Sequence, residues 1–144
     1  MKKLLVAVDG SDLFWKVLDF ADDMAEKYDA ELMVYTVFKP SDSEEMMAKL
    51  DMSYPMPPKE AAKLGDLGDK IVAEAKKRIA PSVKAVYKDE VGDAPEMILE
   101  TAEEYGADLI IIGSKGMSKI RETLTVSVSD YVVRNAKVPV LVVK

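Results

Sequence analysis

The sequence predicts an α/β domain: a five-stranded parallel sheet with helices on both faces. Three observations lead there. Short apolar runs, such as Leu4–Val8, Leu109–Ile112 and Val138–Val143, carry no charged or hydrogen-bonding side chain, as strands buried on both faces do. Other segments repeat apolar residues at three- and four-residue spacing, the pattern of amphipathic helices. The two kinds alternate along 144 residues, and alternation of this kind closes through right-handed crossovers into one sheet.

The first strand, Leu4 to Val8, runs into Asp9-Gly10-Ser11. A helix follows, with Phe14, Val17, Leu18, Ala21, Met24, Ala25 and Tyr28 on one stripe and Ser11 or Asp12 as cap. Trp15 falls off that stripe and reads either as a partly covered surface aromatic or as part of a partner surface. Leu32 to Phe38 is a second strand, rich in β-branched and aromatic residues. Residues 39 to about 60 break the pattern with Pro40, Pro55, Pro57 and Pro58, and Met46, Met47, Met52 and Met56 lie among them. A connection of that length reads as a functional loop, a mobile one or a loosely packed excursion, and its methionines suit an adaptable surface or a lid.

Ala61, Leu64, Leu67, Ile71, Val72, Ala75 and Ile79 make a second helical stripe, weakened near its start by Gly65 and Gly68. Val83 to Val91 is the third strand. Asp93-Ala94-Pro95-Glu96 opens a helix with an Asp cap and a proline in the first turn. Met97, Ile98, Thr101, Ala102 and Tyr105 continue it, and Gly106 ends it. Leu109–Ile112 is the fourth strand, followed at once by Gly113. Val126 to Arg134 fits both periods: Val126, Val128 and Val132 keep even spacing, whereas Val128, Val132 and Ala136 fit a helix. The alternating order favours the helix, capped by Ser127 or Ser129. Val138–Val143 is the last strand, and Pro139 near its start suggests a sheet edge.

Composition narrows the chemistry. Residues 1–144 read as one domain, with 49% hydrophobic and 32% charged residues, an ordinary globular balance. The net charge of -6 and the absence of a long basic run argue against nucleic acid as a partner. With no cysteine there is no disulfide, thiol nucleophile or zinc–thiolate site, and with no histidine a Ser-His-Asp or Cys-His site within the chain is excluded. The apolar run after Lys2-Lys3 stops at Asp9, too short for a signal core. No stretch approaches the ~20 apolar residues that a membrane span needs, so the expected location is the cytoplasm, with no membrane partner.

Two strand ends could carry chemistry: Asp9-Gly10-Ser11 after the first strand and Gly113-Ser114-Lys115-Gly116 after the fourth. Glycines that follow a buried strand let backbone N–H groups approach a phosphate with no Cβ in the way. Lys115, Lys119 and Arg121 add positive charge, and a helix starting near Ser127 would add its N-terminal dipole. Taken alone these are common features of turns and solvated surfaces.

Read together, LLVAVDGS at the start, VGDAPEMILETAEEYGADLIIIGSKG in the middle and SVSDYVVRNAKVPVLVVK at the end resemble the universal stress protein family. The resemblance covers most of the chain and is loose only from about 39 to 60. It implies a doubly wound, Rossmann-like sheet in the order 3-2-1-4-5 and a homodimer formed through the last strand, Val138–Val143. Some members bind ATP, and others do not. Those that do carry a glycine, two residues, a second glycine, nine residues, then a glycine followed by Ser or Thr. Gly113, Gly116 and Ser127 match this pattern, and Val126 stands in place of the third glycine. If that turn needs positive φ, valine would be strained there; the loop could instead rotate, or Lys115 and Lys119 compensate. Asp9 matches the family's acidic residue near the nucleoside, and Val37 lies where the second strand lines the adenine pocket.

Three functions follow as expectations. The first is an ATP-binding regulatory protein of the stress response. It would use Asp9, Val37, Gly113, Lys115, Gly116, Val126 and Ser127, with Mg or Mn held through the ATP phosphates and no metal ligand of its own. The second is a dimeric stress or interaction protein that does not bind ATP because Val126 replaces the glycine. The third is a slow ATP hydrolase, for which Asp9 and Glu122 are the only nearby candidates, both better read as structural or solvated.

Overall fold

The computed structural model describes residues 1–8, 12–38, 64–114 and 128–144. Its elements are β1 (Lys3–Val8), α1 (Asp12–Tyr28), β2 (Glu31–Phe38), α2 (Leu64–Arg78), β3 (Ala85–Val91), α3 (Ala94–Tyr105), β4 (Leu109–Gly113), α4 (Val128–Asn135) and β5 (Val140–Val143). The strands form one sheet in the order β3-β2-β1-β4-β5, every neighbouring pair parallel. This is the doubly wound arrangement expected from the sequence.

Strand alternation sends side chains to two separate cores. On one face Leu4, Val6, Leu32, Val34 and Ile111 pack with Val17, Leu18 and Ala21 of α1 and Ile71 and Ala75 of α2. On the other, Leu5, Tyr35, Val37, Ile110 and Ile112 pack with Ile98 and Ala102 of α3 and Val132 of α4. Both faces are covered, which is why the strands read as unbroken apolar runs. Leu4, Leu5 and Val6 of the central strand are fully buried.

Polar ties lock the amino ends of the strands. The Asp108 carboxylate accepts the backbone N–H groups of Lys2 at 2.8 Å and Lys3 at 3.0 Å, joining the start of β1 to the start of β4. Tyr105 at the end of α3 donates its hydroxyl to Glu31 at 2.8 Å, and Lys84 pairs with the same carboxylate at 3.2 Å. On the α1–α2 side Asp22 accepts the Ala80 N–H at 3.1 Å, and the Arg78 guanidinium lies 4.0 Å from the centre of the Trp15 ring.

Several details differ from the sequence reading. Tyr28, placed on the α1 stripe, is 49% exposed: it ends the helix, where its ring can leave the core without costing a turn. The third strand begins at Ala85; Val83 is buried in the preceding turn, which its N–H closes onto Ala80 O at 3.0 Å. The ambiguous segment after 127 is helical. Ser129 sits inside α4 and is buried, so it is not the cap. Asp93 holds the cap position of α3 in extended geometry, but its side chain makes no capping hydrogen bond. Trp15 is the partly covered aromatic of the two readings, packed against the first core beneath Arg78. The Met/Pro-rich segment 39–60 and the Ser11 and Ser127 caps lie outside the described residues.

Candidate functional site

From β1 the chain steps outward through β2 to β3, then crosses back to place β4 and β5 on the other side of β1. The winding therefore reverses between β1 and β4. There the crossovers leave on opposite faces and a crevice opens beyond the strand ends, the usual ligand position in such sheets. Ala7 pairs with Ile112 across this boundary, so β1 and β4 end, at Val8 and Gly113, on one level.

Gly113 closes β4 opposite Val143 of β5. Ser114 carries the ladder one residue further, donating its N–H to Val143 O at 2.9 Å, and its own carbonyl accepts the Ser129 hydroxyl at 3.4 Å. That second bond draws the first turn of α4 against the exit of β4. The positive end of the α4 dipole thus lies beside Ser114, a placement that favours a bound anion. Val37 lies one residue past the Thr36–Val8 pairing, level with the residue that follows β1. Its side chain is buried in the second core.

Among the sequence-predicted site residues, Val37 and Gly113 are thus brought to the same end of the sheet. Asp9, Lys115, Gly116, Val126 and Ser127 lie outside the described residues, as do Lys119, Arg121 and Glu122. Of the described ends of their segments, Val8 and Ser114 leave the neighbouring strands β1 and β4, and Val128 opens α4, whose Ser129 bonds to Ser114.

Two polar residues at this end escaped the sequence reading. Thr36 points to the face opposite Val37. It is 1% exposed, and its hydroxyl finds no hydrogen-bond partner among the described residues. Its register partner on β3 is Asp89, whose carboxyl is pushed up from the usual range by burial and then by the nearby Asp69 charge. Asp89 comes so close to Gly68 of α2 that any side chain at 68 would collide with its carboxylate. A threonine within LMVYTVF and an acid within a strand were the available signals, but each also occurs without functional meaning.

Among the described residues no group of three or more acidic side chains could hold a metal ion, and no helix is long and apolar enough to cross a membrane. A cleft of about 260 Å³ opens at the opposite, amino end of the sheet, floored by Ala102, Ala107 and Ile110 between α3 and α4, with Glu103 and Lys137 at its rim. It lies at the other end of the sheet from the exits of β1 and β4, and it is not the site described here.

Comparisons with known proteins agree with this geometry. The chain matches the profile of the Universal stress protein family over residues 1–144. It is similar to Universal stress protein YxiE of Bacillus subtilis, with 31% identity over 147 residues, covering 99% of this chain and 98% of that protein. Its fold is similar to that of MJ0577 from Methanocaldococcus jannaschii, with a TM-score of 0.74 and 27% identity over 99% of this chain and 94% of the other. It is also similar to a universal stress protein solved in complex with cAMP, with a TM-score of 0.68 and 26% identity over 99% and 95% of the two chains. A match along the full length and a doubly wound sheet in the order 3-2-1-4-5 place this chain in the universal stress protein family.

Proposed function

We propose that the protein is a cytoplasmic, ATP-binding regulator of the stress response, with the nucleotide held across the carboxyl ends of β1 and β4. One observation carries the reading: β1 and β4 are adjacent and end on one level, at Val8 and Gly113, with the first turn of α4 bonded to Ser114 beside them. Such a crevice offers backbone N–H groups and a helix N-terminus to phosphates and a carboxylate to the ribose. In this reading Asp9 contacts the ribose, Val37 borders the adenine, Gly113, Gly116 and Ser127 approach the phosphates, and Lys115 neutralises them. A divalent ion, Mg or Mn, is carried by the phosphates. The relative solved with cAMP supports an adenine nucleotide as the class of ligand.

The variants Asp9→Ala and Gly116→Val test these roles. Each is expected to weaken ATP binding at least tenfold while the melting temperature stays within a few degrees of wild type. Unchanged affinity in both would remove these residues from the site.

Val126 favours a second reading, in which the inherited phosphate turn is closed by a branched side chain and the protein works through its dimer alone. In either reading the protein is a homodimer through β5, and the sheet edges support that. β3 ends the sheet with Lys88, Asp89 and Glu90, charges that discourage further pairing. β5 ends it with Val-Leu-Val-Val, an aliphatic edge that invites another strand.

A further inference from the structure

The glycine that weakens α2 has a partner across the sheet. Glycine inside a helix is less stable than alanine, so local structure gives no reason for Gly68. The reason lies in packing. Gly68 is buried, and the place where its side chain would stand is filled by the Asp89 carboxylate of β3. The missing Cβ therefore lets a carboxylate lie against the helix backbone. Asp69, the next residue of α2, brings a second negative charge to the same place. Burial first, and the Asp69 charge second, push the Asp89 carboxyl up. Among the described residues no basic side chain forms an ion pair with either carboxylate.

Thr36 stands beside this pair. It is the register partner of Asp89, so the two side chains leave adjacent strands side by side on one face. Val34 and Tyr87, two residues earlier on each strand, pack with the first core, so this is the face that α1 and α2 cover. The other register neighbour of Thr36 is Val8, which is apolar and buried. Of the two neighbours only Asp89 can meet a polar group. Yet the hydroxyl, 1% exposed, is bonded neither to Asp89 nor to any other described residue. A buried donor and a carboxylate thus border the same space under α2 without satisfying each other.

The chemistry of that space selects its occupant. Two carboxylates repel an anion, and the burial of Thr36 leaves no room for anything as large as a nucleotide. A water molecule would satisfy the hydroxyl but leave Asp69 and Asp89 repelling each other. A small cation answers both demands. Hydroxyl and carboxylate oxygens are hard ligands, which suit Mg, Ca and Mn. The place is also separate from the crevice between β1 and β4. Val37, the next residue along β2, packs in the second core on the opposite face, and β2 stands between β3 and β1.

We infer that Asp89, Asp69 and the Thr36 hydroxyl form a site for one hard divalent cation, with water completing its coordination. Calorimetric titration of the full chain with Mn²⁺ and no nucleotide tests it, with Asp89→Asn, Thr36→Val and Gly68→Ala in parallel. Melting curves without Mn²⁺ report folding. Wild type is expected to bind one Mn²⁺ with a Kd of roughly 0.1–1 mM, the range of sites with few charged ligands. Asp89→Asn is expected to weaken binding about tenfold or more, and Thr36→Val about threefold or more. Gly68→Ala keeps every donor but sets a methyl group where the carboxylate lies, so it too should weaken binding. Without Mn²⁺, Thr36→Val should melt no lower than wild type, which separates lost binding from lost folding. No binding by wild type at about 10 mM Mn²⁺ would overturn the site. Full affinity in either Asp89→Asn or Thr36→Val would place the ion elsewhere and overturn it equally.

Discussion

At Glu31 separate parts of the chain meet: Lys2, Lys84 and Tyr105. The hydrogen bond from Tyr105, then the one from Lys84, hold its carboxyl below the ordinary value of 4.5. Tyr105 is pushed above its ordinary 10.0 by burial first and by Glu31 second. A carboxyl with a lowered folded pKa contributes stability that is present above pH 4.5 and lost as pH falls through the folded value. A phenol with a raised folded pKa contributes stability that is full below pH 10.0 and lost as pH rises through its folded value. Tyr105→Phe is therefore expected to cost about 1 kcal/mol near neutrality, a part-buried hydrogen bond to a charged acceptor. Denaturant titrations across pH should show the difference from wild type shrinking below pH 4.5 and above pH 10.0. A difference independent of pH would contradict this linkage. Thr36 makes the opposite case, a buried hydroxyl without a partner among the described residues. Thr36→Val keeps the shape and removes the orphan, so it should raise unfolding stability by about 1 kcal/mol. A loss of stability would show that the hydroxyl is engaged.

At the scale of elements, α3 shows what local sequence determines. Its end is set by Gly106 at φ 75, a left-handed position whose N–H meets the carbonyls of Ala102 and Glu103. Space is open around the missing Cβ, so Gly106→Ala costs only its backbone strain, about 1 kcal/mol in a chemical denaturation series. A loss above about 3 kcal/mol would mean that the helix end itself had been displaced. This stop was legible because only glycine takes that geometry cheaply, and β4 was legible because Leu109–Ile112 is apolar throughout. α4 was harder, since Val126, Val128 and Val132 satisfy both periods; the alternating order decided it, and tertiary packing of Val132 in the second core fixes the outcome. Tyr28 misled because helical spacing says which way a side chain points and not how far the core extends.

Across the whole molecule, the sheet order brings together residues that are far apart in the sequence. Gly113 and Val37 are 76 residues apart in sequence, and their shared level at one end of the sheet follows from the pairing of β1 with both β2 and β4. Gly113 was legible because it follows a buried strand directly. Thr36 and Asp89 were not, because their juxtaposition depends on the register of β2 with β3. The two sheet edges differ in the same long-range way: charge on β3 and aliphatic side chains on β5 acquire meaning only once both are known to be outermost.

The central claim is that an adenine nucleotide occupies the crevice between the ends of β1 and β4. The most direct test is calorimetric titration of the wild-type protein with ATP and Mg²⁺, with Val126→Gly in parallel. Micromolar binding by wild type, equal or tighter in the glycine variant, is the predicted result and would make the nucleotide the regulator. No heat from wild type at millimolar ATP would contradict the claim; binding confined to Val126→Gly would further show that the valine has closed an inherited site.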